Sequence, residues 1–88
     1  MNIYEYADII SADIKLIRYT NQNNRWSAMF AGCEVKEGQM LASKYGNGKD
    51  PDSAIRDYVL AIQGKRIVFN AMDKEHRREY TVPSTLTP

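Results

Sequence analysis

The chain is poor in the residues that most often build reactive or metal-binding centres. Its 88 residues include one cysteine, Cys33, and one histidine, His76. A single cysteine excludes an internal disulfide, and a structural zinc site needs about four ligands drawn mainly from Cys and His. We therefore expect no metal and no cofactor. Cys33 is interpreted as a small half-buried apolar residue, and His76 as a solvated loop residue.

Long apolar runs and an excess of one charge are also missing. No stretch approaches the roughly 20 apolar residues of a membrane-spanning helix, and the N-terminus lacks the basic and apolar segments of a secretory signal. These features predict a cytoplasmic protein with no membrane partner. Lysine and arginine total 12 against 11 for aspartate and glutamate, a formal net charge of +1. Nucleic-acid-binding domains usually show a basic excess, so the composition does not favour that partner.

The chain does contain a well-marked helix start, and this boundary orders the whole sequence. Gly46 and Gly48 suggest a turn whose backbone angles are closed to other residues. Asp50 is a good N-cap, and the proline after it suits the first helical position. Apolar residues then recur at helical spacing as far as a glycine at position 64, which predicts a helix from Pro51 to Gln63.

The segment before this helix predicts one short helix and three strands. Apolar residues at helical spacing, with Asn2 as cap and Glu5 completing a capping box, predict a helix over 3–10. An Asn-rich turn at 21–24 and a tight hairpin closed by Gly38 separate the segments that follow. Strand-forming residues predict three strands, over 13–20, 25–33 and 39–45.

The segment after the helix predicts a strand pair, over 66–70 and 77–82, which ends at Pro83. The resulting order is α-β-β-β-α-β-β. Two amphipathic helices can cover the apolar face of an antiparallel sheet, so we predict an α+β fold, a two-layer sandwich. It forms a single domain over 1–83, followed by a flexible C-terminal tail over 84–88.

The α-β-β-β-α order of residues 3–63 resembles two known families. It is similar to double-stranded-RNA-binding domains. It is also similar to HicB-type antitoxins, in which a Gly-containing turn leads into an Ala-bearing helix much as Gly46 leads to Ala54. The RNA-binding family carries a lysine cluster at the start of its second helix, whereas residues 50–53 here contain none and Lys49 stands alone. The HicB resemblance implies a dimer, and the chain is also similar in style to small phage and prophage proteins.

The remaining polar and aromatic residues favour recognition over catalysis. We predict a non-catalytic binding protein of phage or prophage type that engages a host macromolecule, above all a protein, as inhibitor or adaptor. Anti-CRISPR or other anti-defence activity is one form of this role. An exposed strand edge also predicts a homodimer formed by strand addition. The predicted binding surface is the face and edge of the C-terminal hairpin, with Lys65, Arg66, Arg77, Arg78 and Tyr80.

Two alternatives stay open from the sequence. One is a nucleic-acid-binding or antitoxin-like regulatory module that uses the basic residues. It would gain a second patch if the sheet brings together Arg25, Lys44 and Lys49. The other is a minor enzyme with Cys33 as nucleophile and His76 as base. No basic neighbour or helix N-terminus lies near Cys33 in sequence to lower the pKa of its thiol, so the enzyme is the less favoured reading.

Overall fold

A computed structural model describes residues 1–21 and 23–88 of the chain. The described residues have an α+β fold, as predicted, with two helices and seven strands. In chain order these are α1 (Ile3–Ile10), β1 (Ile14–Tyr19), β2 (Arg25–Phe30), β3 (Cys33–Glu37), β4 (Met40–Ala42), β5 (Gly46–Gly48), α2 (Pro51–Ile62), β6 (Arg66–Phe69) and β7 (Arg78–Thr81).

The strands form two antiparallel sheets, where the sequence predicted one. The three-stranded sheet has the order β1-β2-β5, and the four-stranded sheet has the order β4-β3-β6-β7. The predicted strand over 25–33 is divided between the sheets at Gly32. This glycine has a φ of 66°, a left-handed angle that turns the chain out of the first sheet and into the second. The predicted strand over 39–45 is shortened to β4, because residues 43–45 carry the chain back to the three-stranded sheet. There residues 46–48, predicted to be a turn, form strand β5.

The hairpin at Gly38 and the described part of the Asn-rich turn agree with the sequence prediction. Gly38, with a φ of 61°, closes the hairpin between β3 and β4. In the Asn-rich turn, Asn23 and Asn24 have φ values of 55° and 58°. The predicted turn also includes Gln22, which lies outside the described residues. Asparagine tolerates left-handed angles better than most residues, which explains its use here.

The first helix has the predicted bounds and the predicted cap. The Asn2 side-chain oxygen accepts from the Glu5 amide at 2.9 Å, and the Glu5 carboxylate accepts from the Asn2 amide at 3.0 Å. This reciprocal capping box satisfies two amides that the first turn would otherwise leave unbonded. The buried face of α1 consists of Ile3, Tyr6, Ala7 and Ile10.

The second helix begins at Pro51, as predicted, and ends at Ile62, one residue before the predicted end. The Asp50 carboxylate accepts from the Ser53 amide at 2.7 Å. This hydrogen bond to the charged form lowers the pKa of Asp50. Gly64, with a φ of 68°, follows the helix as expected.

Gly46 and Gly48 are required for close packing, so the predicted need for unusual backbone angles is wrong. Neither has a positive φ. A Cβ atom on Gly46 would overlap with the backbone of Ala54 and Tyr58, and one on Gly48 would lie 2.5 Å from the Ala54 nitrogen. The missing side chains therefore let α2 lie directly against β5.

Aromatic residues join the two sheets in one core. The Phe30 ring of the three-stranded sheet meets Tyr58 edge-on at 5.5 Å and the Phe69 ring of the four-stranded sheet at 6.1 Å. The Tyr58 hydroxyl also accepts a hydrogen bond from the Phe30 amide at 3.1 Å. Burial raises the pKa of Tyr58, so its hydroxyl stays protonated.

Residues 84–88, predicted to be a flexible tail, pack against the domain. Leu86 is 1% exposed and belongs to the core. The Thr87 carbonyl accepts from the Ile3 amide at 2.9 Å, and the Gln63 side chain donates to the Leu86 carbonyl at 2.6 Å. The first turn of α1 has amides without helical partners, and the C-terminal segment satisfies one of them.

Candidate functional site

The two faces of the three-stranded sheet differ in what covers them. Helix α2 packs on the face that carries Gly46 and Ala28, and the α1 residue Tyr4 shares a cleft on that same face with Leu16. Opposite residues of an antiparallel ladder point to one face. Neither helix therefore lies on the other face. We call it the open sheet face, and its residues are Lys15, Ile17, Tyr19, Arg25, Ser27, Met29 and Asn47.

Apolar side chains on the open sheet face are only half-covered. Ile17, Tyr19 and Met29 are of intermediate exposure. Ile17 and Tyr19 neither belong to the core nor pack against it. The centre of the face is ordered, because Ser27 is 0% exposed and its hydroxyl donates to the Asn47 side-chain oxygen at 2.9 Å. The face thus offers apolar area around a satisfied polar centre.

Two cations on the open sheet face have no acidic partner in the described chain. The Arg25 guanidinium lies 5.0 Å from the centre of the Tyr19 ring. No carboxylate of the described residues comes within 4.0 Å of Lys15 or Arg25, since every ion pair found involves other side chains. Unpaired cations beside apolar surface attract acidic partners and orient them on approach.

Open clefts lie at the two ends of this face. One, of about 570 Å³, is lined by Arg25, Lys49 and Asn side chains. The other, of about 630 Å³, is lined by residues that include Lys15, Met29 and Lys44. The structure thus brings together two members of the predicted second basic patch, Arg25 and Lys49. The third, Lys44, lies at the opposite cleft and pairs with Glu37 at 3.0 Å.

Cys33 lines the larger cleft but is not joined there by His76. Burial raises the pKa of Cys33 to about 11, so the thiol stays protonated near neutral pH. His76 instead pairs with Asp73, its Nδ1 atom 2.7 Å from the carboxylate. The structure does not bring together the Cys-His pair that the enzyme alternative requires. Among the described residues, no group of three or more His, Cys, Asp or Glu side chains is placed to hold a metal ion.

The predicted hairpin surface is divided between the two faces of the four-stranded sheet. Arg66 and Arg77 lie on the outer side, and both approach the Glu79 carboxylate, at 3.4 Å and 3.9 Å. Lys65 is exposed nearby. We call the outer side the hairpin face, and its residues are Glu34, Lys36, Arg66, Val68, Arg77, Glu79 and Thr81.

Ion pairs cover the centre of the hairpin face. Val68 is 0% exposed, although it points outward between Glu34 and Glu79 in the strand register. The Lys36 ammonium on β3 reaches the Glu79 carboxylate on β7 at 3.8 Å. Since β6 lies between those two strands, this pair crosses β6 beside Val68. These ion pairs thus help to shield Val68 from solvent, and they neutralise part of the positive charge of the hairpin face.

Arg78 and Tyr80 have structural contacts on the inner side. The Arg78 guanidinium donates to the Ile10 carbonyl at 2.6 Å and lies 4.9 Å from the centre of the Phe69 ring. It therefore caps the C-terminus of α1, where a cation is favourable. Tyr80 packs against the core. The alternation of Arg78 and Tyr80 with Val82, which is buried, was the sequence signal that these side chains point inward.

Comparison of this chain with family models, with curated proteins and with solved structures yields no match. The resemblance to HicB-type antitoxins and double-stranded-RNA-binding domains therefore stays a prediction. Within the described part of the chain, neither helix has the length and apolar character needed to cross a membrane.

Proposed function

We propose that this protein is a non-catalytic binding module that engages an acidic surface of another protein through its open sheet face. One observation carries the proposal: Lys15 and Arg25 have no carboxylate partner among the described residues, and they border the half-exposed Ile17, Tyr19 and Met29. Tyr, Met and Arg are enriched at protein interfaces, whereas most charged residues are depleted at their centres.

We further propose that the protein acts as an inhibitor or adaptor of phage or prophage type, which occupies a surface of a host protein. The support for this role is the size of the chain, 88 residues, together with a face suited to contact. Anti-CRISPR or other anti-defence activity would be one form of it. We place the protein in the cytoplasm, where the free thiol of Cys33 would stay reduced.

A second candidate function is nucleic-acid binding through the hairpin face. It is favoured by the observation that three cations, Lys36, Arg66 and Arg77, surround the carboxylate of Glu79, with Glu34 as the second carboxylate of the face. The face keeps a net positive charge that could meet phosphates. Such binding would weaken steeply as salt rises, because it releases counterions from the nucleic acid.

Two matched double variants separate these candidates. K15A/R25A removes two cations from the open sheet face, and R66A/R77A removes two from the hairpin face. We expect a protein captured from host lysate by the wild type to be retained by R66A/R77A and lost by K15A/R25A. The opposite pattern would contradict the proposal. Salt-sensitive binding to a DNA or RNA duplex that only R66A/R77A abolishes would support the second candidate.

A further inference from the structure

Strand β1 has a free edge whose backbone groups can be assigned from the ladder. The Asp13 carbonyl accepts from the Ala31 amide at 2.9 Å, so this residue pair is hydrogen-bonded. Bonding directions alternate along an antiparallel strand. Lys15, Ile17 and Tyr19 therefore direct their N–H and C=O groups to β2, whereas Leu16 and Arg18 direct theirs outward.

Contacts at the other end of the same ladder agree with this alternation. It predicts that the Phe30 amide points away from β1, and that amide donates to the Tyr58 hydroxyl. It also predicts that the Asn47 amide on β5 points outward from the sheet, and Asp57 accepts a hydrogen bond from it at 2.8 Å. The β5 edge is thus blocked by a side chain of α2.

The β1 edge is the most open of the four sheet edges. Within the described chain, no acceptor is found for the amides of Leu16 or Arg18. Strand β1 has six residues, against three in β4 and four in β7, the edge strands of the other sheet. Short edges discourage strand addition, and long ones invite it. Leu16, at the centre of β1, is 43% exposed.

Charge argues against a second copy of this chain on that edge. Two β1 strands can pair symmetrically about Leu16 or about Ile17. Pairing about Leu16 places Lys15 diagonally opposite Lys15 of the second copy. Pairing about Ile17 places Arg18 diagonally opposite Arg18 of the second copy. Like charges so placed on one face of a strand pair are destabilising. Both charged residues within β1 are basic. Asp8 and Asp13 line the cleft beside Leu16, so the part of the edge that favours acidic groups is formed by the side chains of Lys15 and Arg18.

We infer that β1 accepts an extended segment of an acidic partner as a new edge strand, with one carboxylate for Lys15 and one for Arg18. These two cations lie on opposite faces of the sheet, so the carboxylates belong three residues apart on the segment. The inference rests on the proposed function and adds to it the mode of binding. The added strand would extend the open sheet face beside Ile17 and Tyr19.

The test uses a synthetic extended peptide of Val and Thr with two glutamates three residues apart. The control peptide has lysines in place of both glutamates. At saturating glutamate peptide, we expect amide exchange at Leu16 and Arg18 to slow by about tenfold or more, because both amides gain acceptors. Exchange at Ile17, which already bonds to β2, stays unchanged. Equal exchange with and without the glutamate peptide would overturn the inference, as would equal protection by the lysine peptide.

Two variants show whether the backbone of the edge is what binds. Leu16→Pro removes an outward N–H without removing a bond to β2, whereas Leu16→Ala keeps that N–H and loses most of the side chain. We expect the peptide to protect Arg18 in the alanine variant only. If the proline variant does not fold, N-methylation of the peptide on its β1-facing amides must abolish the protection instead. Strand addition would be contradicted if the Arg18 amide stayed protected in Leu16→Pro or in the presence of the N-methylated peptide.

Two further results separate this inference from its alternatives. Protection of Leu16 in the free protein that grows with protein concentration would assign the edge to a second copy. If Leu16→Pro still captures a host partner that K15A/R25A loses, the open sheet face binds and the edge does not. If K15A/R25A also captures it, the proposed function itself is wrong.

Discussion

The open sheet face and the hairpin face are both free of helices, but they treat their cations differently. On the hairpin face, Arg66, Arg77 and Lys36 share the Glu79 carboxylate above a fully buried valine. On the open sheet face, Lys15 and Arg25 have no such partner in the described chain. Intramolecular pairing makes the first face a shielded outer layer. Because the open sheet face lacks such ion pairs, Lys15 and Arg25 are available to bind acidic groups of a partner.

The largest effect should come from Val68, the buried residue beneath the ion pairs of the hairpin face. We predict that Val68→Ala lowers the free energy of unfolding by about 2 kcal/mol, because it empties a fully buried site. Ile17→Ala on the open sheet face should cost less than about 1 kcal/mol, since Ile17 is already half-exposed. Chemical denaturation of the two variants measures both values. Equal losses would mean that the two faces are covered alike.

A smaller effect should follow from removal of the shared carboxylate. We predict that Glu79→Gln lowers stability by about 0.5–1 kcal/mol, because its three ion pairs are partly exposed to solvent. It also frees the three cations, so the hairpin face should acquire salt-sensitive binding to an acidic polymer such as polyglutamate. Glu75→Gln is the control, since Glu75 makes no ion pair within the described chain. Unchanged polymer binding in Glu79→Gln would show that pairing does not restrain this face.

The effect that is smallest at neutral pH, where it is absent, concerns the cleft beside the open sheet face. Burial raises the pKa of Cys33 from 9.0 to about 11, so the unfolded chain ionises first as pH rises. The protonated thiol therefore contributes fully to the free energy of unfolding below pH 9.0. This contribution is lost as the pH rises through the pKa of the folded state, about 11. We predict that Cys33→Ala loses less stability than the wild type between pH 9.0 and about 11. Identical pH curves would indicate that the thiol is not buried.

Local features of the fold could be predicted because they depend on neighbours in sequence. Asn2 with Glu5, and Asp50 with Pro51, define helix starts through contacts within one turn. The division into two sheets could not be predicted in the same way. Strand pairing is long-range, and a break at Gly32 looks like an ordinary glycine within an apolar strand.

The candidate site was harder to predict, because its character depends on packing across the fold. The sequence grouped five basic and aromatic residues at the C-terminal hairpin. The hydrogen bond from Arg78 to the Ile10 carbonyl requires α1 to lie beside β7, which the local pattern does not encode. The exposure of Ile17 and Tyr19 likewise follows from where α2 packs, and that depends on the close approach of Gly46.

Lysine acetylation of the complex tests the central claim most directly, because Lys15 and Lys36 mark the two faces. The free protein and its complex with the captured partner are treated with the same acetylating reagent and compared by mass spectrometry. We predict that the partner protects Lys15 and leaves Lys36 and Lys65 as reactive as in the free protein. Protection of Lys36 with Lys15 still reactive would contradict binding through the open sheet face.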